Sequence, residues 1–471
     1  MKSATKWLLG ALAIGLVVWS CGKDNPVDGG STETDTAPAT LTLSPTSFTA
    51  GQEGGPFEWT VTAPSRPKVS CDASWVKVTD GTYKDYRITF TLTVEANGTY
   101  DSRTATLTVM AGSLSQTAAL TQAGREKITP PETDLTRTLV TADATVPAQN
   151  LFNYLLSIYG QKTLSGVIAD VNWNHREADK IRQLTGRYPA INCYDFIQVY
   201  VPEGNGWIDY SDLTPVTDWS DGGGIVSLMW HFNVPKTAST TIGTDGSGVT
   251  CTPSETSFRA KNVFTEGSWE NQWFYAQMDK VVSILLQLQE KGIAALWRPF
   301  HEGAGNACAI NQASWTNAWF WWGYDGADVY KQLWTTMFDY FASRGVKNLI
   351  WVWTTQNYNG DPATYKQDTD WYPGEAYVDI VGRDLYGYTD TQNATEFTEI
   401  QAAYPKKMVA LAECGVNGST AFSEVGDFWT AGAHWSWFMP WYGSSMPADA
   451  WWKNAMDQNI VITRDQLPSL K

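Results

Sequence analysis

Histidine is scarce in this chain, four in 471 residues, and the six cysteines include no CxxC pair or other metal-ligand spacing. That excludes the common zinc architectures, which take their ligands from closely spaced cysteines and histidines, and no cofactor is expected. Positive charge is also short: 33 Lys and Arg against 49 Asp and Glu give a formal net charge of −16. Such a surface repels nucleic acid and polyuronates alike, but it is indifferent to a neutral polysaccharide. After the first twenty residues no apolar run approaches the ~20 residues a membrane helix needs. Tryptophan, by contrast, is abundant: of 25 residues, 21 lie from Trp173 onward. Indole faces suit the flat apolar faces of sugar rings.

The length points to two or three domains. Lys2 and Lys6 precede an apolar run, residues 8–18, that closes at Ser20-Cys21-Gly22, the layout of a secretory leader over residues 1–20. Val18-Trp19-Ser20-Cys21 resembles a bacterial lipobox, which implies lipidation at Cys21, and Lys23-Asp24 is similar to a surface-export tag of Bacteroidetes lipoproteins. The expectation is a monomeric outer-membrane lipoprotein tethered through residues 21–38, a polar linker without periodicity. In residues 39–125, runs such as 57–62, 88–94 and 103–109 alternate apolar and polar side chains at period two. They predict an all-β immunoglobulin-like sandwich of about seven short strands, with Trp59 and Trp75 inside strands. Ser70-Cys71-Asp72-Ala73-Ser74-Trp75-Val76-Lys77-Val78 and the ending Ala119-Leu120-Thr121-Gln122-Ala123-Gly124 resemble the Bacteroidetes-associated carbohydrate-binding, often N-terminal (BACON) domain. The name implies sugar binding, whereas tryptophans committed to a core imply a spacer. Residues 126–137, with Pro130-Pro131, read as a second linker.

Residues 138–471 have a longer rhythm. Eight apolar runs, 163–169, 189–194, 225–230, 293–300, 347–353, 378–384, 407–413 and 435–440, alternate with stretches of helical periodicity such as 271–291 and 329–343. Gly292 and Gly345 sit where those helices should stop. Eight strand–helix units predict an α/β fold, the (β/α)8 TIM barrel, with its largest insertion, 233–268, after the third strand. Cys193 and Cys414 fall in strand runs as small buried side chains. Cys251 and Cys308 fall in loops and could pair in an oxidising compartment.

Active residues of such a barrel sit at the C-terminal ends of its strands. Trp297-Arg298-Pro299-Phe300-His301-Glu302 closes the fourth run, and Leu411-Ala412-Glu413-Cys414-Gly415 closes the seventh. Two strand-end carboxylates are the minimum equipment for glycoside hydrolysis: one protonates the leaving oxygen while the other attacks or activates water. Those segments, with Trp319-Phe320-Trp321-Trp322-Gly323, Trp371-Tyr372-Pro373-Gly374, Gly382-Arg383-Asp384-Leu385-Tyr386 and Phe438-Met439-Pro440-Trp441, resemble glycoside hydrolase family 26 over about residues 138–465. The resemblance implies a retaining double displacement on β-1,4-mannan, galactomannan or glucomannan. Glu302 would be the acid/base and Glu413 the nucleophile, with Tyr386 hydrogen-bonded to Glu413. Arg298 is expected to help keep Glu413 ionised, since an opposite charge favours the charged form. Arg298, His231, His301, Tyr386, Trp319, Trp353 and Trp441 are expected around the substrate, with Trp319 and Trp441 at family positions that stack on sugars. Two rival readings remain. One is the same machinery on mixed-linkage β-glucan or xylan; the other is a non-catalytic surface glycan-binding lipoprotein, for which the two glutamates would have no use. The long loops after strands three and four are expected to close one end of the cleft.

Overall fold

The computed structural model describes residues 37–129, 131–170, 173–201, 208–305, 318–356 and 367–471. Cys21 and Cys308 lie outside the described residues, as does much of the loop after the fourth barrel strand. Cys251 forms no disulfide with a described cysteine. The chain divides into two compact units, Met1–Arg125 and Glu126–Lys471.

The first unit is a sandwich of two four-stranded sheets. One orders Thr42–Ser44, Gly55–Thr62, Arg87–Val94 and Val76–Thr79; the other orders Ser47–Ala50, Leu114–Gln122, Arg103–Ala111 and Lys68–Cys71. Strict alternation in Arg87–Val94 turns Ile88, Phe90, Leu92 and Val94 into the core and the intervening residues to solvent. Eight strands form instead of about seven because the segment around Pro45 divides between the two sheets. Trp59 is fully buried, and its Nε1 donates to the Pro45 carbonyl at 2.8 Å. Trp75 departs from expectation. It lies in the turn ahead of Val76–Thr79, half-buried, with the Arg103 guanidinium 4.2 Å above its ring.

The second unit is a closed barrel of eight parallel strands: Thr163–Ile168, Ile191–Asp195, Ile225–Trp230, Ala295–Pro299, Leu349–Thr355, Ile380–Tyr386, Met408–Gly415 and Trp437–Pro440. It closes because the first strand pairs with both the second and the eighth. Each strand falls within or overlaps one predicted run, since strands buried on both faces read as continuous apolar stretches. Cys193, Met229, Leu296, Ile350, Val352, Ile380, Met408, Ala410, Trp437 and Met439 pack inside the barrel. Their neighbours Tyr194, Leu228, Trp297, Trp351, Val381, Val409 and Phe438 pack outward against the helices. The helix Trp269–Glu290 buries Phe274, Met278, Val281, Val282, Leu285 and Leu288 in that outer layer, at roughly 1.5–3 kcal/mol per large side chain. The Ser268 side chain caps it by accepting from Asn271 N–H at 3.0 Å.

The seventh strand breaks its alternation just before Glu413. Leu411 lies opposite Arg383, but Glu413 lies opposite Asp384, so Ala412 is an unpaired β-bulge residue. Val409 and Leu411 face outward, and unbroken alternation would send Glu413 the same way. The bulge turns it inward.

Candidate active site

The fourth strand ends at Pro299, and the chain then takes left-handed conformations at Phe300 (φ 45°) and Glu302 (φ 51°). Each costs on the order of 1–3 kcal/mol and persists only where surroundings enforce it. Here they do. Tyr330 O–H donates to the Phe300 carbonyl at 2.9 Å, Trp322 Nε1 to that of His301 at 2.9 Å, and Gly305 N–H to that of Glu302 at 2.9 Å. Two glycines let aromatic rings lie directly on this turn: a Cβ at Gly303 would sit 2.2 Å from Tyr330 Cε2, and one at Gly305 2.3 Å from Trp319 Cε3. Burial, then the charges of Asp384 and Glu413, push the Glu302 carboxyl well above its usual range, against the pull of Arg298 and Arg383. Glu302 is thereby suited to hold a proton and give it up.

Both oxygens of Glu413 are occupied. Oε2 accepts from Tyr386 O–H at 2.6 Å, and Oε1 accepts from Arg298 Nη2. Arg298 Nη1 donates to Asp384 Oδ2 at 3.0 Å, so one guanidinium ties the sixth strand to the seventh. Burial works against the Arg298 charge, but Asp384 and Glu413 outweigh it and keep it cationic. Tyr386 is raised well above its ordinary range by burial and by Glu413, so it remains a donating phenol. Glu302 is thus pushed towards its protonated form, while Glu413 is held by a phenol and a guanidinium.

Beside them stand two imidazoles. Asp195, from the second strand, accepts His231 backbone N–H through Oδ1 at 3.0 Å and contacts His231 Nδ1 through Oδ2 at 2.5 Å. His231 Nε2 lies 3.2 Å from His301 Nε2, which is 4.0 Å from Glu413 Oε1. The Phe320 ring is 5.2 Å from that of His301, and Trp441 is 5.8 Å from that of His231. Trp319 is 41% exposed and Trp441 half-buried, so both have surface to offer a sugar.

Three of the residues expected around the substrate are buried. Arg298, 3% exposed, holds carboxylates rather than reaching into the cleft, and His301, 1% exposed, backs Glu413. Trp353, expected around the substrate, is 1% exposed and points outward, its ring 5.2 Å from Tyr372 and 5.7 Å from Tyr404. The inward residues of that strand are Ile350 and Val352, followed by Thr354, whose hydroxyl lies 3.5 Å from Arg298 Nη1. Sequence reasoning assigned no role to Asp195, Asp384 or Phe320. Asp195 ends a strand run, Asp384 shares a face with Tyr386, and Phe320 adjoins Trp319, so each carried a positional signal. Among the described residues no group of three His, Cys, Asp or Glu is arranged to hold a metal ion.

The family model for glycosyl hydrolase family 26 matches residues 140–466, and the BACON model, "Putative binding domain, N-terminal", matches residues 65–123. Mannan endo-1,4-beta-mannosidase of Thermothelomyces thermophilus is 30% identical over 343 residues, which span 72% of this chain and 64% of that protein. Mannan endo-1,4-beta-mannosidase A of a Piromyces species is 28% identical over 351 residues, 71% of this chain and 51% of that protein. The chain therefore spans half to two thirds of the length of these curated relatives. Among solved structures, the GH26 domain of an endo-beta-mannanase/endo-beta-glucanase from Prevotella bryantii is 58% identical with a TM-score of 0.69, covering 70% of this chain and 99% of that one. A beta-mannanase from a symbiotic protist of the termite Reticulitermes speratus, complexed with gluco-manno-oligosaccharide, is 31% identical with a TM-score of 0.57, covering 72% and 100%.

Proposed function

The chain belongs to glycosyl hydrolase family 26, and from that premise we propose that it hydrolyses internal β-1,4-mannosidic bonds by a retaining double displacement. One observation carries the reading: Glu413 is held by Tyr386 and Arg298, while Glu302, on the strained turn, is pushed towards its protonated form. Glu413 attacks the anomeric carbon, the glycosidic C–O bond breaks, and the Glu302 proton goes to the departing oxygen. Glu302 then takes a proton from water as that water displaces Glu413, which restores both groups. The relatives named as mannan endo-1,4-beta-mannosidases, and the likeness to a beta-mannanase bound to gluco-manno-oligosaccharide, support mannan or glucomannan as substrate. The endo-beta-mannanase/endo-beta-glucanase from which the 58% identical domain comes keeps mixed-linkage β-glucan as the second reading.

The test is reducing-end release with product chromatography on linear mannan, galactomannan, glucomannan, mixed-linkage β-glucan and xylan. Turnover confined to mannose-containing polymers, with the anomer retained, is the expected result. Glu413→Gln should lower it by at least about a thousandfold. A folded chain silent on every polymer would favour a glycan-binding protein instead. Export and lipid anchoring belong to the same proposal, supported by Lys2, Lys6 and the apolar run that closes at Cys21. Cys21→Ala should abolish incorporation of labelled palmitate in a bacterial host.

A further inference from the structure

The barrel lines up one carboxylate and two imidazoles that end at the nucleophile. Asp195 spends both oxygens on His231, one on the backbone N–H and one on Nδ1. An ionised carboxylate can only accept, so His231 Nδ1 must carry a hydrogen. Across that ring, His231 Nε2 meets His301 Nε2 at 3.2 Å. Two ring nitrogens form a hydrogen bond only when one hydrogen lies between them. Burial, then the charge of Arg298, keeps His301 neutral, well below the ordinary imidazole range, so it has a single hydrogen to place. Its Nδ1 is buried without a hydrogen-bond partner among the described residues, and an N–H there would be left unsatisfied. Its Nε2 faces His231 and lies 4.0 Å from Glu413 Oε1.

We propose that Asp195 is a positioning residue for the hydrolysis: by fixing the hydrogen of His231 on Nδ1, it makes His301 carry its N–H, not a lone pair, at Nε2, the ring nitrogen 4.0 Å from Glu413 Oε1. The inference rests on Glu413 being the nucleophile. The charged groups that act on the imidazole pair are Asp195 from the second strand, Arg298 from the fourth and Glu413 from the seventh, with the Tyr386 phenol on the other oxygen of Glu413. Burial opposes a second proton on His231, but Asp195 outweighs it and His231 titrates above the ordinary imidazole range. That second proton would enter at Nε2 and drive the His301 hydrogen to Nδ1. The proposed arrangement therefore belongs to the pH range above the His231 titration.

Asp195→Asn is nearly isosteric. Its carbonyl can keep the backbone N–H while its amide donates to His231 Nδ1, which reverses the hydrogen on both rings. Nitrogen-15 spectra of the labelled chain, which has four histidines, read the tautomers directly. They would be recorded about two pH units above the His231 titration seen in the same spectra. The wild type should show His231 protonated at Nδ1 and His301 at Nε2. Asp195→Asn should show both reversed, kcat down about tenfold or more with KM within about threefold, and the acidic limb of kcat/KM moved to higher pH because the nitrogen 4.0 Å from Glu413 Oε1 then presents a lone pair instead of an N–H dipole. A wild-type spectrum with the His301 hydrogen on Nδ1 overturns the proposal whether or not the variant folds. So does a variant with reversed tautomers but wild-type kcat and pH profile. Wild-type turnover of galactomannan and the other polymers, run alongside, separates the two readings. An enzyme inactive on all of them overturns the nucleophile assignment and the proposal with it, whereas an active one with the wrong tautomer overturns the proposal alone.

Discussion

Glu302 and Glu413 are the same functional group, and in the proposed mechanism only their neighbours give them different work. The Glu302 carboxyl titrates above its usual range because burial and two nearby carboxylates disfavour its charge. In the proposed mechanism the acid form is the working one, so it is complete below that raised pKa and lost as pH rises through it. The alkaline limb of kcat/KM should therefore belong to Glu302, and Glu302→Ala should abolish that limb. This variant should lose polysaccharide turnover yet still release a good phenolate from an activated aryl mannoside, whose departure needs no proton; accumulation of the glycosyl-enzyme would be read as a burst. Tyr386→Phe removes the hydroxyl that Glu413 Oε2 accepts from at 2.6 Å. A donor that matters as charge leaves the nucleophile should show as a loss of about tenfold to a hundredfold in kcat with little change in KM. Arg298→Ala is different in kind. It strands Asp384 and Glu413 in a site where their side chains are 0% and 6% exposed, and breaking such a buried pair should cost about 3–5 kcal/mol, read as a lower midpoint in urea.

The strands are where the sequence was most readable and also where it misled. All eight barrel strands were legible because burial on both faces leaves long apolar runs, and both glutamates were legible because they end two of them. The same two-sided burial hides which face is which. Nothing in Leu349–Thr355 distinguishes inward from outward positions, so Trp353 could be placed at the strand end but not on a face. The Ala412 bulge that turns Glu413 inward leaves no trace in an apolar segment without alternation. The Asp195–His231 contact joins residues 36 apart, and it depends on the register of two adjacent strands. Asp379, which leads into the sixth strand, makes a joint that sequence alone could not reveal: it accepts Val140 N–H at 2.8 Å and Trp351 N–H at 2.8 Å. Asp379→Asn would turn an amide N–H towards a backbone N–H. The expected cost is about 1–3 kcal/mol in thermal or urea unfolding, with kcat at low temperature unchanged because the joint lies away from the glutamates.

At the scale of the whole molecule, the two units differ in what their aromatic residues are free to do. In the barrel unit Trp319 is 41% exposed beside the acid turn. In the sandwich unit no described aromatic ring is exposed: Phe48, Trp59 and Phe90 are buried, and Phe57, Trp75, Tyr83, Tyr86 and Tyr100 are partly covered. Among its described residues the one exposed large apolar side chain is Met110, at 54%. A sugar ring gains most of its affinity by laying its apolar face on an uncovered aromatic ring, and Trp75, the one described indole near the sandwich surface, already lies under the Arg103 guanidinium. The sandwich is therefore expected to act as a spacer without sugar affinity of its own. Residues 37–125, expressed alone, should migrate through a galactomannan gel as they do through plain acrylamide, and residues 126–471 alone should match the full chain in kcat/KM on soluble oligosaccharides. Retardation of the sandwich that disappears with Arg103→Ala would point to polar capture through that arginine. Retardation that grows with the same variant would mean that Trp75 can stack on sugar once uncovered, and that the arginine over its ring suppresses binding.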